Sequence, residues 1–331
     1  LLAEYAAAGA TPPDVEFVIN FSDAPKVLRP PDGVDAPDGG GGGAAADGGG
    51  GPPAAEALRT MAPPADCAGW RWEELAWAPY GPFGAVTGTD NAFVGARWAR
   101  RPLPMLTAVA CCFAHDLSFP TAWYDFEQSD DEWAALAAAA ARRPWAARRE
   151  RAHFRGSVYW YENHGRTRAF AASLVSPDEV DVDWYEKVDT AALETDGENV
   201  FGAIGDHAKF KWLLSLEGHS YWSFRLRQLA HLGSAVLHQD LPCHEWWHAA
   251  LRPYEHYVPL ARDLSDLRAA LRALRRHDGA AARMGARLQR LAPKILGQAA
   301  VVAHVRRLLE GLAALQTYTP RLHPDAVPLG I

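Results

Sequence analysis

One segment in the C-terminal half of the chain carries residues suited to two different chemistries. His244, Glu245 and His248 match the H-E-x-x-H pattern, in which two histidines one helical turn apart bind zinc and the glutamate acts as a base. Upstream, Ser223 and Arg225 lie near the start of a predicted helix, where backbone amides and a guanidinium can bind an anion. The choice between a zinc site and an anion site largely determines the predicted function.

The zinc interpretation lacks a third ligand. The extended metalloprotease pattern requires Gly at position 251 and His at position 254, and the chain has Leu251 and Tyr254 there. The next carboxylate, Glu255, is separated from His248 by Pro253, and proline interrupts a helix. We therefore predict that the H-E-x-x-H residues lie on an ordinary amphipathic helix that holds no metal.

The anion interpretation agrees with the charge of a phosphate or diphosphate group. A departing diphosphate is stabilised either by a divalent metal or by helix N-terminal amides together with Arg or Lys. No D-x-D metal motif ends a predicted strand, because the D-V-D at residues 181–183 is predicted to lie in a solvated turn. Ser220 or Ser223 can cap the helix that follows Gly218, with Arg225 in its first turns. For this segment alone, a plain helix cap with a surface arginine is the alternative.

A second candidate phosphate contact lies upstream, at Arg155, Gly156 and Ser157. An arginine directly before a glycine at the edge of a strand can hold a phosphate by two parallel hydrogen bonds. The glycine allows the phosphate to approach the backbone closely. This segment and the one around Arg225 therefore predict a diphosphate site without a metal.

Composition limits the class of partner. The 331 residues are 49% hydrophobic, enough for one large domain or two medium ones, and we prefer two. A net charge of -7 offers no excess positive field for a phosphate backbone, so we expect no nucleic-acid partner. The sequence has no run of about 18 apolar residues, so we predict no membrane span. Its first residues, LLAEYAAAG, are too short and uncharged for a signal peptide, and its four cysteines form no C-x-x-C pair.

Two acidic residues follow predicted strands in the N-terminal half. Short apolar runs at residues 15–21 (VEFVINF) and 106–113 (LTAVACCF) predict buried strands, and Asp23 and Asp116 come just after them. Open α/β sheets place ligand-binding groups beyond the carboxyl ends of their strands. A glycine-rich stretch at 30–53 lacks the apolar residues to order itself and is predicted to be a disordered insertion.

Strand-like and helix-like segments alternate in the rest of the chain. An alanine-rich helix is predicted from Asp130, and a basic helical piece is predicted from Pro144 to His153. Strands are then predicted at 153–160, 209–216, 234–239 and 256–260, with helices at 168–174, 222–232, 245–251 and 265–277. Such alternation predicts an α/β fold with a parallel sheet covered on both faces. Residues 280–315 are predicted to be helical with one break, at Pro293.

Together these segments resemble the capsule-associated protein family, glycosyltransferase family 90, which includes the Rumi-type protein O-glucosyltransferases. The matching segments occur in order along nearly the whole chain: FVINFSDAP, HDLSFPTAW, PWAARRERAHFRGS, HAKFKWLLSLEG, SFR, GSAVLHQD and LRPYEHYVPLARDLSDL. The resemblance implies a GT-B architecture, in which two Rossmann-like lobes face a cleft. We expect an acceptor-side lobe at 1–145, a nucleotide-sugar-binding lobe at 146–290, and a helical tail at 291–331 that packs back on the first lobe.

The resemblance also implies roles for single residues. It assigns the catalytic base to Asp116 and an acceptor contact to Asp23. The donor contacts that it implies are Arg155, Gly156, Ser157, Gly218, Ser220, Ser223, Phe224 and Arg225. From Gly218 to Arg225 the chain is one residue longer than the usual family spacing, so the choice of Ser220 or Ser223 as the phosphate contact stays open.

The function implied by the resemblance is inverting transfer of glucose or xylose from a UDP-sugar to an acceptor hydroxyl, with a protein serine preferred. The partners would be UDP-glucose or UDP-xylose and an acceptor protein domain or glycan, with no metal or other cofactor. The compartment would be the lumen of the endoplasmic reticulum or Golgi. Transfer to a polysaccharide or glycolipid, and a non-catalytic protein that binds sugar or peptide, are the alternatives.

Overall fold

The structure is a computed structural model, and it describes residues 5, 7–15, 17–19, 67, 105–112, 117–120, 125, 128–156, 164–184, 204–218 and 222–319. Within these ranges the chain is an α/β protein built on parallel β-sheet, which confirms the fold class predicted from the alternating segments. Four predicted site residues and the glycine-rich insertion lie outside the described residues: Asp23, Asp116, Ser157, Ser220 and residues 30–53. Among the described residues, no helix is both long enough and apolar enough to cross a membrane.

Five parallel strands form the large sheet. They are β5 (Arg149–Gly156), β6 (Val180–Trp184), β7 (Phe210–Ser215), β8 (Ala235–Gln239) and β10 (Val258–Leu260). Their order across the sheet is β10-β8-β7-β5-β6. The chain thus adds β6 on one side of β5 and then crosses back to add β7 on the other side. This reversal makes the boundary between β5 and β7 the topological switch point of the sheet.

Helices cover both faces of the large sheet. They are α1 (Asp130–Ala141), α2 (His164–Val175), α3 (Arg225–Ala230), α4 (Leu267–Arg276) and α5 (Asp278–Leu296). A further helix, α6 (Gln298–Leu315), packs on α5. Side chains alternate along a strand, so Trp212 and Leu214 of β7 pack with α2 and α4, whereas Leu213 packs on the other face with α1 and α3. All six residues of β7 are buried, which explains its apolar residues on both faces; the buried Lys211 pairs with Glu150 and Asp278.

The described N-terminal residues form smaller sheets. β1 (Val18–Ile19), β2 (Met105–Thr107) and β4 (Leu117–Ser118) make a three-stranded parallel sheet, and β3 (Ala110–Cys111) pairs antiparallel with β9 (Cys243–His244). The single strand predicted at 106–113 is therefore wrong, because the chain changes its pairing partner between β2 and β3. A disulfide between Cys111 and Cys243 joins β3 to β9, and a second one joins Cys67 to Cys112.

Three predicted helical features are also wrong. After Pro144 only a 3-10 turn forms at Trp145–Ala147, and β5 begins at Arg149, where pairing with β7 overrides local helix propensity. The helix predicted at 245–251 is a 3-10 turn at His248–Ala250, since strand pairing and a disulfide hold the chain just before it. Pro293 lies inside α5, and the break falls at Gly297, because burial of that helix offsets the hydrogen bond lost at proline.

Gly285 lets α5 approach the start of β8. A Cβ atom at this position would lie 2.6 Å from the carbonyl oxygen of Gly233 and 2.7 Å from that of Ser234. We expect Gly285→Ala to lower the free energy of unfolding by about 1–3 kcal/mol, because backbone atoms must move to admit the methyl group. Gly311→Ala on α6 is the matched control, since nothing lies within 4 Å of its Cβ position. Urea denaturation compares the two, and equal unfolding midpoints would contradict this close packing.

Candidate active site

The candidate site lies at the carboxyl edge of the large sheet, at its switch point. Open α/β sheets bind ligands outside the carboxyl ends of strands where the strand order reverses. β5 ends at Gly156, and β7 is followed by Glu217 and Gly218. The structure therefore places two sequence-predicted donor residues, Gly156 and Gly218, at the ends of the two strands that flank the switch point.

Two guanidinium groups, those of Arg166 and Arg225, pack against the buried ring of Phe154, two residues before Gly156. The Cζ atom of Arg225 lies 4.8 Å from the centre of the Phe154 ring, and that of Arg166 lies 5.2 Å from it. A Cβ atom at Gly156 would lie 2.7 Å from the Phe154 ring and 3.6 Å from Nη1 of Arg166. Sequence reasoning missed Arg166, although the Gly165-Arg166 pair opens the helix that follows the first strand of a βαβ unit, where anions commonly bind.

Arg155 is held by the neighbouring strand. Its Nη2 donates to Oδ1 of Asp181 at 2.7 Å, and its Nη1 donates to the carbonyl oxygens of Asp181 and Phe154 at 3.0 and 2.9 Å. Burial alone would raise the pKa of Asp181, but the hydrogen bond and charge of Arg155 outweigh it and hold that pKa below its usual value. The D-V-D motif is therefore part of β6, and its placement in a solvated turn was wrong because these residues pair with β5, where Asp181 lies opposite His153 and within reach of the Arg155 side chain.

The positive charge at the end of β5 belongs to arginines, because the nearby histidines are neutral. Burial, together with the charges of Arg155 and Arg225, lowers the pKa of His153 to about 4. Burial also lowers the pKa of His207, as do the neighbouring His153, Arg225 and Arg155. At neutral pH the field at the end of β5 is therefore that of guanidinium groups, which suits a phosphate.

The carboxylate of Glu217 accepts hydrogen bonds from the backbone amides at the start of α2. Its Oε1 accepts hydrogen bonds from the backbone nitrogens of Gly165 at 2.7 Å and Arg166 at 3.1 Å. Burial raises the pKa of this carboxyl, although the amide and charge of Arg166 oppose the shift. The backbone nitrogen of Glu217 donates to Oε1 of Gln239 at 2.9 Å, which ties the end of β7 to the end of β8. These helix amides are thus already satisfied, and binding of an anion falls to the guanidinium groups.

Gly218 closes the loop that leads to α3. Its backbone nitrogen donates to the carbonyl oxygen of Trp222 at 2.8 Å, and a Cβ atom at Gly218 would lie 2.3 Å from that oxygen. The N-cap of α3 is Phe224 and makes no side-chain capping bond, so the predicted cap at Ser223 is wrong. Ser223 Oγ instead accepts from the backbone nitrogen of Arg225, the first residue of the helix, at 3.4 Å.

Glu245 of the H-E-x-x-H pattern takes part in a buried ion pair with Arg227. Glu245 and Asp125 are buried on either side of Arg227, with the Arg227 Nε to Glu245 Oε1 and Arg227 Nη1 to Asp125 Oδ1 distances both 2.6 Å. His244 and His248 bring their Nδ1 atoms to 3.4 Å from each other, one in β9 and the other in a 3-10 turn. Across the described part of the chain, no group of three or more His, Cys, Asp or Glu residues is arranged to hold a metal ion.

The carboxyl edge of the large sheet, near Arg155, Arg166 and Arg225, forms an arginine-rich edge. A cavity of about 640 Å³ opens along the same edge of the sheet, at the end of β8. Gln239 and Asp240 line it at the end of β8, and Leu117 and Ser118 of β4 line the opposite side. Asp116, the predicted base, lies outside the described residues and is bonded directly to Leu117. The small sheet and the large sheet therefore share one cavity, next to the predicted site.

Open α/β sheets that bind nucleotides do so at a switch point of the strand order, and in this chain several arginines lie at that position. The chain matches the family model described as Glycosyl transferase family 90 over residues 112–330, and it belongs to that family.

Several curated proteins are similar to this chain. It is 27% identical over 199 residues to Protein O-glucosyltransferase 1 of Rattus norvegicus, which covers 55% of this chain and 50% of that protein. It is 30% identical over 187 residues to O-glucosyltransferase rumi of Drosophila pseudoobscura pseudoobscura, an alignment that covers 54% of this chain and 44% of that protein. It is 27% identical over 180 residues to Protein O-glucosyltransferase 3 of Homo sapiens, with 54% and 34% covered. The chain thus spans about half, or less, of the length of these relatives.

Proposed function

We propose that this chain is an inverting glycosyltransferase that moves glucose or xylose from a UDP-sugar to an acceptor hydroxyl, preferably a protein serine. The observation that carries the proposal is the packing of Arg166 and Arg225 on the Phe154 ring, at the switch point of a family 90 chain. Negative charge grows on UDP as it departs, and guanidinium groups fixed in advance stabilise that charge. The names of the similar proteins support a protein as the acceptor.

The proposed reaction is a direct displacement at the anomeric carbon. A serine hydroxyl is hardly ionised at neutral pH, so a carboxylate within hydrogen-bond reach must accept its proton as the new bond forms. We assign this role to Asp116. The serine oxygen bonds to the anomeric carbon from the side opposite UDP, and the bond from that carbon to the phosphate oxygen breaks. UDP leaves with the electron pair, which Arg166 and Arg225 stabilise without a bound metal.

We further propose a GT-B arrangement with lobes at 1–145 and 146–290 and a tail at 291–331. The parallel small sheet and the parallel large sheet, which line one cavity, support the two lobes. Contacts of α6 with N-terminal residues support the packing of the tail: Tyr5 donates to Oε1 of Glu310 at 3.2 Å, and His304 Nε2 lies 3.3 Å from the carbonyl oxygen of Ser118.

The proposed compartment is the lumen of the secretory pathway, in the endoplasmic reticulum or Golgi. Both disulfides support it, because such bonds persist in oxidising compartments and are rare in the cytosol.

The transfer assay tests the function. The chain is incubated with a panel of UDP-sugars, with and without folded EGF-like domains, and the UDP released is measured. We expect release from UDP-glucose or UDP-xylose that rises with the acceptor and is unchanged by a chelator. The two donors differ by one hydroxymethyl group, worth about 1–3 kcal/mol in a pocket, so their ratio identifies the sugar. No release from any donor would contradict the proposal.

Arg225→Ala is expected to raise the dissociation constant of UDP about tenfold to a hundredfold. A hydrogen bond to a charged group contributes about 1.5–3 kcal/mol, and the variant removes such a donor from the diphosphate. The matched control is Arg272→Ala, on the exposed face of α4. Calorimetric titration with UDP measures both, and an unchanged dissociation constant for Arg225→Ala would remove this residue from the site.

A further inference from the structure

The cavity differs from the arginine-rich edge in the charge of the residues that line it. The cavity lies at the ends of β8 and β10, and its far side comes from β4 and α6. Its volume of about 640 Å³ is in the range of small-molecule sites. None of its described lining residues is Lys or Arg, and Asp240 contributes an exposed carboxylate. An anion is therefore favoured at the end of β5 and disfavoured in the cavity.

Histidine side chains, including those of His238 and His244, line part of the cavity. Burial lowers the pKa of His238 to about 3 and that of His244 to about 4, and in both cases the neighbouring His248 lowers it further. These rings can donate and accept hydrogen bonds at neutral pH without carrying a charge. Trp246 and Tyr257 add aromatic rings to a lining that is otherwise largely apolar.

An uncharged ring with several hydroxyl groups matches this lining. Sugar hydroxyls both donate and accept hydrogen bonds, and the carbon face of a sugar packs on aromatic rings. Asp240 is the strongest acceptor available, because its carboxylate lies exposed at the cavity wall. Its backbone nitrogen donates to the carbonyl oxygen of Leu260 at 2.9 Å, which fixes this residue between the ends of β8 and β10.

The cavity also lies where the sugar of a bound donor would reach. β8 is two strands from β5 across the sheet, which places their ends about 10 Å apart at the usual strand spacing. Gln239, which lines the cavity, accepts the backbone hydrogen bond of Glu217, and Glu217 holds the amide of Arg166. One continuous set of contacts therefore joins the arginines to the cavity.

We propose that the cavity holds the sugar ring of the donor, with Asp240 accepting hydrogen bonds from its hydroxyl groups and His244 and His248 bonding the others. This inference rests on the proposed function, and it makes Asp240 a determinant of donor sugar recognition. The diphosphate then lies at Arg166 and Arg225, and the anomeric carbon lies between the two groups of residues.

Calorimetric titration of the full chain with UDP and with UDP-glucose or UDP-xylose tests the inference. We expect Asp240→Ala to raise the dissociation constant of the donor at least about tenfold while that of UDP changes less than about twofold. Asp240→Asn keeps the side-chain shape and is expected to show a smaller loss of the same kind. Asp178→Ala, an exposed residue outside the cavity, is the control and is expected to change neither constant.

The other outcomes overturn the inference in distinguishable ways. Unchanged donor and UDP affinities in both Asp240 variants would place the sugar elsewhere. If the transfer assay on the same variants showed a change only in the KM of the acceptor, the cavity would be assigned to the acceptor. An equal loss for UDP and for the donor would assign it to the nucleotide. Absence of UDP binding by the unaltered chain would reject the proposed function itself. Circular dichroism of each variant confirms folding before titration.

Discussion

Asp116→Asn is expected to slow sugar transfer about 10²- to 10⁴-fold while the dissociation constant of UDP stays within about twofold. Asparagine has nearly the shape of aspartate, but it cannot accept the proton of the acceptor hydroxyl at neutral pH. The base acts only as the new bond forms, so its loss affects the transition state and leaves the bound nucleotide unaffected. Single-turnover transfer and calorimetric titration with UDP measure the two quantities on the same preparation.

Asp178→Asn, at an exposed position, provides the control for loss of one carboxylate. It is expected to change neither the transfer rate nor UDP binding. If Asp116→Asn kept its rate within about threefold, the proton would have to go to another group, since removal of a general base costs at least about 10²-fold. If it lost UDP binding in proportion to its rate, Asp116 would be a donor contact.

Arg227→Ala is expected to lower the free energy of unfolding by about 3–5 kcal/mol. The variant leaves two carboxylates, Asp125 and Glu245, buried without their counter-charge; their side chains are 1% and 0% exposed. Asp125 also accepts a hydrogen bond from Nε1 of Trp246 at 3.1 Å, so the loss should loosen one wall of the cavity. Urea denaturation measures the effect, with Arg272→Ala as the exposed control, for which a change within about 0.5 kcal/mol is expected.

Because Arg227 pairs with Glu245, the loss of stability in Arg227→Ala is expected to depend on pH, and the direction of that dependence follows from the pKa of Glu245. Burial alone would raise the pKa of Glu245, but the charge of Arg227 outweighs it, and the pKa lies below its usual value. A lowered carboxyl pKa stabilises the fold above the unfolded value of about 4.3 and loses that contribution as pH falls through the folded value. In Arg227→Ala the burial effect remains and folding takes up a proton. The difference in stability between the two proteins should therefore shrink from pH 7 to pH 4, and a constant difference would contradict this origin.

The sequence predicts the strands that are buried on both faces and fails where distant pairing decides the structure. The runs at 209–216 and 234–239 correspond to β7 and β8, because strands buried on both faces carry apolar residues at consecutive positions, as Trp212 to Leu214 and Ala235 to Leu237 do. The basic residues from Arg149 to His153 favour a helix locally, and only pairing with β6 and β7 makes them a strand. No local pattern reveals a partner that lies further along the chain.

The candidate site shows the same division. Gly156 is predicted from its own segment and Gly218 from the family resemblance, and the strand order brings them to one edge. Arg166 and Glu217 meet only after folding, so their contact leaves no spacing to detect in the sequence. Arg155 belongs to a segment typical of phosphate binding, yet in the fold its guanidinium donates to the carboxylate of Asp181 in β6. His244 and His248 match a metal motif, yet Glu245 between them pairs with Arg227.

Hydrogen exchange with and without UDP, followed by mass spectrometry, tests the location of the donor most directly. We predict slower exchange in the presence of UDP in peptides that cover residues 149–156, 211–218 and 222–230, where β5 and β7 end and α3 begins. Peptides from α5 should be unchanged, because that helix lies away from the carboxyl edge. No protection at the ends of β5 and β7, or protection confined to residues 243–250, would contradict a UDP-sugar site at the switch point.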